Sequence, residues 1–542
     1  MAARPLEKPP FWPLALLALV LALQVTLVLH RAINWDEFYH YSLVEKLVAG
    51  TLTEPVQTFY TRAFTWVTAM PGSGIDHIIA VRWVMLGCEL VTLAAIIGIS
   101  RRFASREAAW LCALAYAGAG YVFQHATSFR LDGPAAALLM SAAWILLRSR
   151  LSVPAIAASG LLIALAMMLT VKAVLYAPVF AGIAWLRWQE GAFGRDATLR
   201  LAGVGLAALA GFAAFYWLHA SGLNTSPART AIGGAGTRMF SLGLQPYWPL
   251  HLKGALLAPV LFALLLAFPF ALRREARPMA EKVALIGLVL PVTTLFFYHN
   301  TAPYYFVFML APVCAGLAPL MDKATARYSA AALAIVLTAF TLFVWALEAP
   351  GPLSRQRQLL AAAEAMFPDH PRYFDNYALL GTFPKANTFM SPIGVSLYRQ
   401  GSYPSMVAAN RLAPVPLVVA VDPLFDQAMD TREPAPDFLP EDLALLRGNY
   451  LHLWGPYWVA GYAFRKVDGP RAFTAEIPGR YRVDGGDLKL DGRTIRPGDT
   501  ILLTGGAHRA APGPASDARL IWAAARPAPA APPPPLPWFT GF

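Results

Sequence analysis

Long apolar runs separated by short polar loops fill residues 11–347, and the pattern gives way to short alternating segments only after residue 350. A helix needs roughly 17 to 25 mostly apolar residues to cross a bilayer. Runs at 11–30, 75–100, 108–126, 133–147, 153–169, 173–188, 201–219, 251–272, 283–299, 304–320 and 328–347 meet or approach that length. The pattern therefore predicts a polytopic helical membrane protein with about eleven transmembrane helices. The first run follows a short basic stretch, as in a signal peptide. It is long enough to span and lacks a small-residue cleavage site, so it is expected to stay in place as an anchor.

The loops test this count, because cytoplasmic loops carry an excess of Lys and Arg. With the N-terminus inside, the inner loops hold Arg101, Arg102 and Arg106; Arg148 and Arg150; Arg187 through Arg200; Arg273 through Lys282; and Lys323 with Arg327. All are basic. The outer loops hold Asp36 and Glu37, Arg130 and Asp132, Lys172, a glycine-rich stretch at 220–250, and His299 with Asn300. An odd number of spans places everything after residue 348 outside too, in a bacterial cell the periplasm.

Four regions are expected: a transmembrane part (1–349), an α/β region (350–470), a β-sandwich-like region (471–526) and a Pro/Ala-rich tail (527–542). The α/β region joins a helical pattern at 353–366 to the short buried strand at 416–421. From Arg480, strand-like triplets alternate with the turn dipeptides Asp491-Gly492 and Pro497-Gly498. The tail reads as low-complexity and disordered.

Composition sharpens the class. With 57% hydrophobic and 14% charged residues, and a mean hydropathy of +0.48, the chain is too apolar for an ordinary soluble protein. Its net charge of +12 sits in the inner loops, so it serves orientation and implies no nucleic acid. Cys88, Cys112 and Cys314 each lie inside an apolar run without metal-ligand spacing, which argues against disulfides and a thiolate site.

The polar residues on the outer side are the candidate chemistry. Asp36 and Glu37 follow the first span and open an amphipathic stretch (Phe38, Tyr41, Val44, Val48) suited to a helix lying along the interface. Asp36 fits an ordinary helix N-cap; it also fits a general base acting on an acceptor hydroxyl. Lys172 fits a snorkelling lysine at a helix end. Arg130 and Asp132 fit an internal pair, and His40, one turn beyond Asp36, fits a structural hydrogen-bonder. The stretch 231–238 is glycine-rich without Walker spacing and reads as a lid.

An Asp-Glu pair in the first outer loop resembles the GT-C glycosyltransferases, and more narrowly their protein-mannosyltransferase and aminoarabinose-transferase branch. Ser128-Phe129-Arg130-Leu131-Asp132-Gly133-Pro134 resembles that group's Arg-x-Asp-x-Pro segment. The stretch 160–172 resembles its small-residue helix ending in a basic residue, and 304–312 its aromatic, proline-containing tenth helix. The resemblance covers roughly residues 11–350. It implies a GT-C fold and inverting transfer of a sugar from a polyprenyl-phosphate carrier to a lipid, glycan or protein acceptor outside the cytoplasmic membrane. It further implies that Asp36 is the base, that Glu37 assists acceptor binding, and that Lys172, Arg130, His299 and Tyr304 hold the donor phosphate. Asp132, His40, Tyr39 and Tyr305 then line the acceptor side or cavity. No cofactor is implied, although Asp36, Glu37 and Asp132 offer oxygen ligands to a divalent ion. The competing class is a transporter or flippase of a lipid-linked saccharide, which predicts inverted repeats and interrupted helices near mid-membrane; no such repeat is visible.

Overall fold

The computed structural model describes residues 10–223, 240, 242–243, 247–348, 351–388, 390–514 and 516–539. The stretch expected to form a lid, 231–238, lies outside the described residues.

Each apolar run folds as helix. The helices are α1 (Phe11–His30), α2 (Trp35–Val48), α3 (Gly74–Ser100), α4 (Arg106–Ala117), α5 (Gly120–His125), α6 (Asp132–Arg148), α7 (Val153–Leu169), α8 (Ala177–Glu190) and α9 (Arg195–Ala220). They continue as α10 (Trp248–Leu256), α11 (Pro259–Arg274), α12 (Met279–Val289), α13 (Tyr305–Gly316), α14 (Ala318–Tyr328), α15 (Ala330–Leu347) and α16 (Pro352–Met366). The chain is a multi-pass membrane protein: among the described residues, 5 helical spans are long and apolar enough to cross, or up to 7 if each bent pair counts as one.

Several expected spans are therefore broken rather than continuous. The run at 251–272 is α10 plus α11, bent by 101°, and the run at 304–320 is α13 plus α14, bent by 66°. Pro259 and Pro319 stand in the first turn after each break, where a ring without an N–H can start a helix but not continue one. Apolarity along the chain reports burial in lipid or protein, not continuity of the helix.

Small residues bring the helices together. A Cβ added at Gly287 of α12 would lie 2.4 Å from Pro178 O, and one at Gly182 of α8 would lie 2.9 Å from Val283 O. Without a hydrophobic force between helices in lipid, such backbone approach is a main source of packing attraction.

α2 is capped by Asn34, whose side chain accepts from Asp36 N at 3.0 Å, while Asn34 N donates to Glu37 Oε1 at 3.0 Å. This corrects the cap reading of Asp36. Asn34 fills that place through a reciprocal capping box, which leaves the Asp36 side chain available for other contacts.

Beyond α16 the chain builds two sheets from β1 (Tyr373–Asp375), β2 (Leu417–Val419), β3 (Tyr450–Trp454), β4 (Tyr457–Phe464), β5 (Arg471–Ala475), β6 (Gly479–Gly485), β7 (Leu488–Leu490), β8 (Arg493–Ile495), β9 (Thr500–Leu503), β10 (Gly506–Pro512) and β11 (Ala518–Trp522). A 7-stranded sheet runs β1-β2-β4-β11-β6-β9 with β3 also on β4, and a 4-stranded sheet runs β5-β10-β7-β8. Only β1 and β2 are parallel, joined through helical segments. Asp491 and Gly492, both at positive φ (47° and 86°), form the two-residue turn that pairs Leu490 with Arg493.

The Pro/Ala-rich segment is ordered through residue 539, contrary to the expectation of disorder. Trp454 Nε1 donates to Ala531 O at 2.9 Å and Arg355 to Pro537 O at 3.0 Å, and Phe539 meets Tyr377 edge-on at 5.0 Å. Proline lowers the entropy to be lost on ordering, and the aromatic residues at the end give the segment something to bury.

Candidate active site

One end of the bundle carries two ionic clusters on opposite faces of the first turn of α2. Glu37 faces inward. Its Oε1 accepts from Arg82 Nη2 at 2.6 Å and its Oε2 from Arg82 Nε at 2.8 Å and Phe129 N at 2.8 Å. The remaining N–H groups of Arg82 go to the carbonyls of Val28, Arg31 and Ala32. Glu37 is fully buried and its two oxygens are saturated. Its expected part in acceptor binding is corrected on this geometry: the carboxylate is a closed structural pair that ties α2 to α3. Arg82 was not singled out from the sequence, yet a lone guanidinium inside the run 75–100 was the available signal, since a cation at that depth must have a partner.

Asp36 faces the other way. It pairs with Arg130 Nη1, whose Nε lies 3.4 Å from Asp132 Oδ2, and Asp132 Oδ1 accepts in turn from Lys172 Nζ. The result is an alternating chain, Asp36–Arg130–Asp132–Lys172, drawn from α2, the loop before α6, the first residue of α6 and the 3-10 turn Val171–Tyr176. Asp36 is the open end, with 15% of its side chain exposed against 3% for Asp132. Two residues apart, Arg130 and Asp132 do not share a helical face; the turn at α6's N-terminus folds the guanidinium back over the carboxylate.

Tyr304 floors this chain. The Arg130 guanidinium carbon stands 3.2 Å from the centre of its ring, and Lys172 Nζ lies 5.6 Å from Tyr304 and 5.8 Å from Tyr305. Cations over aromatic faces in a dry setting are held by the ring quadrupole, typically by about 2 kcal/mol or more. Tyr304 OH donates to Asn300 Oδ1 at 2.7 Å, and Tyr305 OH shares a 2.7 Å hydrogen bond with Thr294. His299 is half-buried beside Asn300. His40 Nδ1 lies 2.8 Å from Tyr60 OH, with Phe129 against its ring at 6.0 Å. Burial, then the Arg130 charge, push His40 down to about 3, so it is neutral at pH 7. Tyr39 is half-buried next to it.

Among the described residues no cluster of three or more His, Cys, Asp or Glu is placed to hold a metal ion. Asp36, Glu37 and Asp132 are instead each paired with cationic side chains.

An apolar groove of about 970 Å³ lies between α10, α11, α12 and α13. It begins at Tyr121, His251 and Phe306, two residues from Tyr304, and ends at Met279, Arg273 and Lys282. It was not foreseen, because its walls are ordinary apolar helix positions and its shape comes from the bend between α10 and α11.

Comparison by sequence finds no matching family model and no matching curated protein. Comparison by structure does find similar folds. ArnT from Cupriavidus metallidurans bound to undecaprenyl phosphate superposes with a TM-score of 0.53 at 16% identity, covering 75% of this chain and 93% of that one. The chain has the GT-C fold. The oligosaccharyltransferase of Archaeoglobus fulgidus in its apo form matches at a TM-score of 0.50 and 14% identity, covering 92% of this chain and 76% of its own. The GT-C likeness thus extends past the membrane helices into the sheet-rich region, further than the roughly 11–350 expected from motifs.

Proposed function

We propose that the protein is a glycosyltransferase that moves a sugar from a polyprenyl-phosphate-linked donor to a hydroxyl or phosphate of a lipid, glycan or protein acceptor, at the periplasmic face of a bacterial inner membrane with the N-terminus cytoplasmic. The observation that carries this reading is one charged chain, Asp36–Arg130–Asp132–Lys172, over Tyr304, together with a long apolar groove walled by α13, the helix that starts at the next residue. A phosphate on a prenyl tail is a ligand of that composition. ArnT, with the same fold, is described bound to such a molecule.

Arg130 and Lys172 offset the charge of the phosphodiester and of the leaving phosphate. Asp132 holds the two cations at a fixed separation, and Tyr304 holds their orientation. Binding of phosphate draws Arg130 away from Asp36. The freed carboxylate accepts the proton of the acceptor hydroxyl as its oxygen attacks the anomeric carbon. The bond from that carbon to the phosphate oxygen breaks, and polyprenyl phosphate leaves on the opposite side, inverting the centre. Glu37 and Arg82 keep the turn in place, with His40 and Tyr39 on the acceptor side.

The test is to incubate the purified protein with a panel of polyprenyl-phosphate sugars and candidate acceptors and to follow donor consumption. Consumption of one donor by the wild type but not by Asp36→Asn supports the reading. Equal consumption by both removes Asp36 as base.

A further inference from the structure

Contacts from beyond residue 350 close around residues 33–41, the segment that carries Asp36. Before it, the buried Gln356 of α16 bonds the Ile33 backbone in both directions, accepting from N at 2.8 Å and donating to O at 2.8 Å. Beside it, Tyr377 stacks on Trp35 with ring centres 5.2 Å apart and planes inclined by 18°. After it, Phe539 meets Phe38 edge-on at 6.0 Å, and the backbone at Gly381 lies so near Tyr41 that a Cβ there would be 2.6 Å from the ring.

The loop that presents Tyr377 is itself built for the purpose. The buried Asp375, at the end of β1, accepts from Tyr377 N at 2.9 Å and Leu379 N at 2.8 Å. Between them Ala378, also fully buried, takes a positive φ of 56°, a conformation unfavourable for a residue with a Cβ. Such a conformation persists only where its surroundings impose it, and it is concentrated at functional sites.

We propose that Tyr377, on its Asp375-set loop, and Gln356 are positioning residues of the active site: by holding Trp35 and Ile33 they fix the direction of the Asp36 carboxylate. The sheet-rich region is on this account a part of the catalytic apparatus rather than an appended module. This rests on the reading of Asp36 as base. The Trp35 stack adds an aromatic restraint to the Asn34 cap and the Glu37–Arg82 pair at the first turn of α2, and a base displaced by about 1 Å loses up to about 10²-fold in rate. Donor binding by Arg130 and Lys172 has no such dependence.

The experiment uses the full-length protein in lipid. Tyr377→Ala and Gln356→Ala are expected to lower kcat about tenfold or more while donor KM stays within about twofold. Tyr377→Phe, which keeps the ring, restores most of the rate. Arg357→Ala serves as control: Arg357 ties the same helix to Asp76 at 2.7 Å without touching the Asp36 turn, so its loss should leave kcat unchanged. A wild-type kcat in Tyr377→Ala, or an equal loss in Tyr377→Phe, overturns the proposal. Because Tyr377 is only half-buried, its variants decide the matter even if Gln356→Ala unfolds. Asp36→Asn in the same assay separates the two ideas. If it stays active, the base assignment has failed; if it is dead while Tyr377→Ala is normal, the positioning has failed.

Discussion

Asp36 and Glu37 are neighbours in sequence with the same charge, yet they live in opposite surroundings. Glu37 is closed by a bidentate guanidinium and two backbone N–H groups, whereas Asp36 meets a single arm of Arg130 and keeps part of its surface open. A carboxylate whose acceptor sites are all filled by rigid donors has little left to offer a substrate. One that shares a cation with a second carboxylate can exchange that partner for a phosphate. The difference lies in the geometry of one helical turn, which sends successive side chains to different faces.

The sharpest way to break this contrast is to exchange the roles. Asp36→Asn should lower transfer roughly 10²- to 10⁴-fold, the range for loss of a general base, with the thermal transition unmoved; initial rates alongside a melt check both halves. Glu37→Gln should act oppositely. It strands the buried Arg82, costing about 3–5 kcal/mol of stability, and is read as a drop in the melting temperature. If Glu37→Gln melts like the wild type but is inactive, the closed and open carboxylates have been assigned the wrong way round.

Lys172→Ala comes next. It removes one charge-assisted bond to phosphate, worth about 1.5–3 kcal/mol, and should raise donor KM roughly tenfold or more while acceptor KM is untouched. An unchanged donor KM counts against a phosphate role. The smallest effect concerns a third carboxylate, in the sheet-rich region. Burial pushes Asp422 up from 3.8 to about 7, against the bonds it accepts from Phe425 N and Asn376 Nδ2. A raised carboxyl contributes stability that is full below the unfolded value and is lost as pH climbs through the folded one. The melting temperature of wild type minus that of Asp422→Asn should therefore be larger at about pH 5 than at about pH 8. A difference that does not vary with pH contradicts this assignment.

Much of the candidate site, though not this contrast, was visible along the chain. Asp36, Arg130, Asp132 and Lys172 stand out as polar residues between apolar runs, and the structure brings all of them together with Tyr304. The turn at Asp491-Gly492 and the strand at Leu417–Val419 were equally legible, because a two-residue turn with positive φ and a short buried aliphatic run with two valines are local properties. What escaped was non-local. Nothing near Arg82 in sequence says that Glu37 is its partner, and nothing in a Pro/Ala-rich segment says that Phe539 will rest on Phe38. The groove and the Tyr377 stack on Trp35 were illegible for the same reason.

Sequence alone determined that this chain lives in a membrane and gathers its unusual charges in one set of loops, since desolvation forbids isolated charges along a lipid-facing helix whatever the fold. Which of two adjacent carboxylates is sealed and which is open was decided by tertiary structure. Partner choice depends on which distant residues arrive at that turn, and spacing along a chain does not record that.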